Sequence, residues 1–201
     1  MLAPSYKAVF FISMTKTELR AYYKHLRTQL PPDKELELNL CLLQQLKSLE
    51  WNKVKFCHVF LPILKFHEPN TFLLIDYLKE THPHIQIVIS KSDMRSNSMT
   101  HYRYNDAVLV PNKWGIPEPV DGVHIDEKNI DLVLVPLLIS DQFGHRVGYG
   151  KGYYDRFLAL CKPDVQKVGL SFFEPIAGIE DVDIHDIPLD ICVTPTAVYR
   201  Y

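Results

Sequence analysis

The sequence predicts an α/β fold with three layers, a largely parallel sheet covered by helices on both faces, and a glycine-rich phosphate loop at the carboxyl end of a central strand. Three observations predict it. Short β-branched runs alternate along the chain with stretches of helical periodicity. The run Ile130 to Ile139 is apolar apart from Asp131 and Pro136, as a strand buried on both faces requires. That run leads through a polar turn, Ser140 to His145, into Gly148, Gly150 and Gly152, and then into a new helix. In open α/β sheets the ligand crevice lies at the carboxyl ends of the strands, where this loop falls.

The elements follow in order. Thr15 and Glu18 form a capping box, opening a helix that Pro31-Pro32 stops at about Leu30. Leu19, Tyr22, Tyr23, Leu26 and Leu30 make its apolar side. Lys16, Arg20 and Arg27, with Lys24 beside them, share another face, which by itself reads as an ordinary solvated basic face. Asp33 to Glu50 is a second helix with Leu36, Leu40, Leu43 and Leu46 as its stripe. Val54 to Leu61 is a strand. Glu68-Pro69-Asn70-Thr71 opens a third helix that runs to about Glu80. Ile85 to Ser90 is a strand, Met99 to Tyr104 an edge strand, and Asn112 to Pro119 a proline-rich loop holding Trp114. After the glycines, Tyr154, Phe157, Leu158 and Cys161 repeat at helical spacing up to Pro163. Lys167 to Phe173 and Ile191 to Val193 are the last strands.

Composition sets the limits. The chain has 201 residues, of which 14–201 are expected to form one domain and 1–13 a disordered or loosely packed upstream extension. A chain of this size buries roughly 70% of its unfolded surface, enough for a core without staples. The net charge of −2 argues against general nucleic-acid binding. No apolar run reaches the length of a membrane span, and Ala8 to Ile12 is short for a signal peptide. The four cysteines lack CxxC pairing and suit a reduced, cytoplasmic protein; a monomer is expected. The nine histidines show no HExxH-like spacing, so no zinc is expected.

The glycine loop is where chemistry is expected. Glycines let backbone N–H groups approach an anion, a helix start adds further donors, and Arg146 and Lys151 add full charges. A phosphate suits this arrangement. Asp155 lies in the first helical turn and would repel that phosphate unless a cation such as Mg²⁺ stood between them. The loop is not a Walker A motif, because His145 occupies the first glycine place and Gly152 the Ser/Thr place. It is not a dinucleotide fingerprint either, since Tyr153 stands at the third glycine. Spacing alone equally suits a plain strand-to-helix connection.

The wording of the stretch is more specific. Arg146-Val147-Gly148-Tyr149-Gly150-Lys151-Gly152-Tyr153-Tyr154-Asp155-Arg156-Phe157-Leu158, after the Val135-Pro136 step, closely resembles the signature of the 5-formyltetrahydrofolate cyclo-ligase family. Resemblance extends from about Lys16 to Asp190, including the Lys-x-x-Leu-Arg of the first helix. It implies an enzyme that uses ATP and Mg²⁺ to convert 5-formyltetrahydrofolate into 5,10-methenyltetrahydrofolate, with release of ADP and phosphate. The implied ATP contacts are Lys16, Thr17, Glu18, Leu19 and Arg20, together with Arg146, Val147, Gly148, Tyr149, Gly150, Lys151, Gly152, Tyr153 and Tyr154. The implied folate contacts are Arg20, Ile63, Glu68, Trp114, Tyr149, Gly150, Lys151, Gly152 and Tyr153. Lys16, Arg146 and Lys151 are the implied catalytic charges, and Asp155 and Asp190 the implied metal ligands, with Asp186 competing for the second place. Two other readings stay open: a sugar-phosphate isomerase or CoA-transferase-like enzyme, and a non-catalytic nucleotide-binding protein.

Overall fold

The computed structural model describes residues 14–112 and 117–201. The expected extension at 1–13 and Trp114 lie outside the described residues.

The helices are α1 (Lys16–Thr28), α2 (Pro32–Leu46), α3 (Phe72–Thr81) and α4 (Tyr153–Leu158). The first seven strands are β1 (Phe56–His58), β2 (Gln86–Asp93), β3 (Ser98–Arg103), β4 (Val108–Pro111), β5 (Pro117–Asp121), β6 (Leu132–Pro136) and β7 (Ile139–Ser140). The remaining four are β8 (Arg146–Val147), β9 (Gln166–Leu170), β10 (Ile191–Val193) and β11 (Val198–Arg200). A seven-stranded sheet has the order β11-β10-β9-β6-β1-β2-β3. Its five inner strands run parallel, and β11 and β3 pair antiparallel at the two edges.

The alternation of side chains along β6 explains its central place. Leu132 and Leu134 face the side where α2 contributes Leu42 and Leu46, and α3 contributes Leu74, Ile75 and Leu78. Val133 and Val135 face the opposite side, against Phe157 and Leu158 of α4. All four are 0% exposed, which is why the sequence reads there as a continuous apolar run.

Several expected boundaries change. The run Ile130 to Ile139 is not one strand. Pro136 lacks an N–H, β6 stops there, and Ile139–Ser140 pairs instead with Arg146–Val147 in a separate two-stranded ribbon. The stretch expected as a proline-rich loop, Asn112 to Pro119, runs into β5, which pairs antiparallel with β4 in a second ribbon. Prolines are tolerated there because such a strand has an unpaired side. The stripe of α2 is Asn39, Leu42 and Leu46; Leu36 and Leu40 are more than half exposed.

One packing arrangement positions the site. Leu19 and Tyr23 of α1 are buried against Leu138, Ile139 and Val147, with Ile176 and Ile179 behind them. Burial of side chains this size stabilises by about 1.5–3 kcal/mol each. It clamps α1 onto the β7–β8 ribbon immediately before the glycine loop. Among the described residues no helix is long and apolar enough to cross a membrane.

Candidate active site

The capping box at Thr15 forms, with the Thr15 amide donating to Glu18 Oε2 at 2.9 Å, and fixes where α1 begins. Lys16 and Arg20 are then one helical turn apart, on the same side of α1. Arg20 Nε donates to the Gly148 carbonyl at 2.9 Å. A Cβ at Gly150 would lie 3.1 Å from the Arg20 guanidinium carbon, and Gly150 has φ +81. Gly152 is left-handed as well, at φ +65, and serves as the N-cap of α4. Gly148 sits beside the Pro136 carbonyl, at the carboxyl end of β6.

The structure places the other α1 residues expected at the nucleotide as follows. Leu19 is wholly buried in the core, Glu18 is committed to the cap, and Thr17 is exposed. The side chains that α1 directs at the loop are Arg20 and, one step beyond expectation, Arg27, while Lys16 reaches Asp186. Arg27 is not on a solvated face: it is 2% exposed and bonds the Leu137 carbonyl at 3.4 Å and the Tyr149 hydroxyl. The helical spacing placed it on the correct side, but charge alone read as solvent-facing.

A second group surrounds Glu68. Its carboxylate is 3% exposed, accepting the Ile63 amide at 2.7 Å and the Tyr149 hydroxyl at 2.6 Å. Burial raises its pKa, with the Ile63 amide, the Tyr149 hydroxyl and the Arg27 charge pulling the other way. The structure thus joins Ile63 and Glu68, which share one loop, to the distant Tyr149 through hydrogen bonds.

A third group contains the acids. Arg146 Nη2 bonds Asp155 Oδ1 at 2.6 Å, and Arg146 Nη1 donates to the Ile187 carbonyl. The Ile187 amide returns to Asp155 Oδ1 at 3.2 Å. Beside it, Asp186 is ion-paired with Lys16; burial pushes its carboxyl up, but Lys16, the Asp183 amide and Arg146 together hold it below the usual range. Asp190 is elsewhere. It precedes β10 at the amino end of the parallel strands, where Lys167 binds it through Nζ at 2.8 Å and through its amide at 2.7 Å. Asp186 is therefore the acid brought to Lys16 and Arg146, whereas Asp190, expected as the second metal ligand, is paired with Lys167. Sequence spacing could not separate them, because both lie in one loop only four residues apart.

The remaining loop residues divide by exposure. Lys151 is exposed, and its carbonyl accepts Arg156 Nη2 at 2.6 Å. Val147 is fully buried under α1. Tyr153 lies at the start of α4 with its hydroxyl 3.3 Å from the Asp93 carbonyl. Tyr154 packs into the core beside His58, and burial pushes its hydroxyl pKa up. Among the described residues no cluster of three or more His, Cys, Asp or Glu side chains is arranged to hold a metal.

Residues 12–195 match the model of the 5-formyltetrahydrofolate cyclo-ligase family. The chain belongs to that family. Among curated proteins it is similar to the probable 5-formyltetrahydrofolate cyclo-ligase of Schizosaccharomyces pombe, at 28% identity over 94% of this chain and 99% of that one. It is similar also to the 5-formyltetrahydrofolate cyclo-ligase of Mus musculus, at 28% identity over 91% and 95%. Among solved structures, the 5,10-methenyltetrahydrofolate synthetase of Aquifex aeolicus superposes with a TM-score of 0.78 at 32% identity, covering 93% of each chain. The cyclo-ligase family consists of enzymes, which gives the three groups of side chains around the glycine loop a chemical setting.

Proposed function

We propose that this chain is an ATP-dependent 5-formyltetrahydrofolate cyclo-ligase, acting as a cytoplasmic monomer and releasing 5,10-methenyltetrahydrofolate, ADP and phosphate. The observation that carries the reading is the bond from Arg20 to Gly148, which puts the basic start of α1 against the glycine loop. The same loop reaches Glu68 through Tyr149, so a nucleotide side and a folate side meet at one turn of backbone.

The chemistry fits these groups. A formamide-like carbon is a poor electrophile and its oxygen a poor leaving group. Transfer of the γ-phosphoryl group to the formyl oxygen corrects both. Nitrogen 10 of the folate then attacks the carbon, and phosphate departs with the former formyl oxygen. Phosphoryl transfer depends on positioning and charge neutralisation. Lys151, free of side-chain burial, and Arg20 would meet the phosphates, with the Gly150 and Gly152 region admitting them closely. Lys16 would exchange Asp186 for a phosphate oxygen. Arg146 acts from beneath by fixing Asp155.

Magnesium commonly binds one or two carboxylates plus substrate phosphates and retains waters. The oxygens of Asp155 and Asp186, held next to each other by Arg146, Ile187 and Lys16, fit that demand. Bound there, the ion would neutralise developing charge on the phosphates. Glu68 would accept N–H donors of the pterin ring, which a carboxylate does well, while Ile63 and Tyr153 would bound the folate.

The test is direct. Purified protein with 5-formyltetrahydrofolate and Mg-ATP should develop the methenyl absorption band with one ADP released per turnover. Product formation without ATP would favour an isomerase or transferase chemistry, and ATP binding without product a regulatory role.

A further inference from the structure

Arg27 is a buried guanidinium that the proposed reaction leaves without a role. Residues 2% exposed and charged at every accessible pH are rare and need compensation. Here Nη1 meets the Leu137 carbonyl at 3.4 Å, Nη2 meets the Tyr149 hydroxyl, and Nε has no hydrogen-bond partner among the described residues. The guanidinium carbon also lies 5.7 Å from the Tyr149 ring centroid.

The polarity of these bonds is fixed by chemistry. Arginine only donates, so the Tyr149 oxygen must accept from it. The single Tyr149 proton is then left for Glu68 Oε1, at 2.6 Å. The other Glu68 oxygen faces a second obligate donor, the Ile63 amide, at 2.7 Å. A protonated Glu68 would need an acceptor on one oxygen, and both oxygens face donors. We infer that Arg27 is a positioning residue: acting through the Tyr149 hydroxyl, it holds buried Glu68 as an acceptor-only carboxylate ready for N–H donors of the reduced pterin. The inference rests on the reading of Glu68 as a folate ligand.

The charges around Glu68 support it. Arg27 from α1 is the cation acting on the carboxylate, opposing its burial, and Tyr149 and Tyr154 come from the glycine loop and α4. The neighbouring His67 is bonded to Glu35 of α2 at 2.6 Å, and Lys24 and Lys65 lie over the Phe66 ring.

The experiment reads Glu68 directly. Protein labelled with ¹³C at the glutamate carboxyl carbons is titrated by NMR, the Glu68 signal being identified by its absence in Glu68→Gln. The wild-type signal should be that of a carboxylate at neutral pH. In Arg27→Gln its titration midpoint should move up, while Arg27→Lys, which keeps the charge, should hold it near the wild-type position. In parallel, KM for the folate in Arg27→Gln should rise about tenfold at neutral pH, with KM for ATP unchanged, and recover as pH is raised. A protonated Glu68 in the wild type, or an unmoved midpoint in Arg27→Gln, overturns the inference. If Arg27→Gln does not fold, Tyr149→Phe cuts the same relay, and an unmoved midpoint there overturns it equally. Absence of methenyl product from the wild type would instead remove the folate reading and leave the titration interpretable.

Discussion

Arg20 donates through Nε to the Gly148 carbonyl, two residues before Gly150, whose missing Cβ leaves room for the same guanidinium. The two features are one device. Gly150→Ala adds a methyl group 3.1 Å from Arg20 in a left-handed residue. The backbone alone costs roughly 1–2 kcal/mol. Thermal unfolding should show that modest loss, and turnover should fall by about a hundredfold as Arg20 is displaced. Wild-type turnover in Gly150→Ala would separate the two residues functionally.

Lys151 and Arg146 carry equal charge but should behave differently when removed. Lys151 is exposed, so Lys151→Ala should cut turnover by about two orders of magnitude with an unchanged denaturation midpoint. The Arg146 side chain is 7% exposed and is paired with Asp155. Arg146→Ala leaves that acid without its partner and should lose about 3 kcal/mol of stability as well as activity. Urea titration beside the kinetic assay distinguishes the cases.

Magnesium dependence should discriminate between two acids of one loop. Asp186→Asn should raise the magnesium concentration needed for half-maximal turnover by about tenfold or more. Asp190→Asn removes the partner of Lys167 and should leave that titration in place. The reverse result would return the second ligand to Asp190.

Acid sensitivity should come from two buried histidines. His58 and His101 are 0% and 1% exposed, their ring centroids 5.4 Å apart, and His101 stacks on Phe157 at 4.1 Å. Burial, helped by His124, depresses His101 to about 4 from 6.5, and burial, helped by His101, lowers His58 well below its ordinary value too. The unfolded chain therefore binds more protons once pH falls below 6.5, and stability declines from there toward about 4. His101→Phe should flatten the fall. Urea midpoints compared at pH 7 and pH 5 measure it, and an identical slope in variant and wild type would assign the acid sensitivity elsewhere.

Glu68→Gln keeps the shape but replaces an acceptor with a donor beside the Ile63 amide and the Tyr149 hydroxyl. KM for the folate should rise by about tenfold or more, while ATP binding measured separately stays unchanged. Equal weakening of both ligands would show that Glu68 supports the loop as a whole.

Local chemistry made much of this legible. The capping box at Thr15, the buried run through β6 and the wording of the glycine loop each depend on residues close in sequence, so the α/β class and the site's main elements could be read directly. Pairing was harder. Pro136 marks a break, but the run stays apolar to Ile139, and nothing local shows that Ile139–Ser140 turns away to join Arg146–Val147.

The sequence by itself determined the family resemblance, the alternation of the helices with the main parallel strands, and the basic, glycine-rich character of the site. Tertiary structure alone decided that Arg27 is buried beneath Tyr149, that Asp186 meets Lys16 while Asp190 meets Lys167, and that Ile63, Glu68 and Tyr149 share hydrogen bonds. A charged residue's type fixes what it can bond to, but its partner is chosen by which elements the core packs together, and that choice is made across distances the local pattern does not encode.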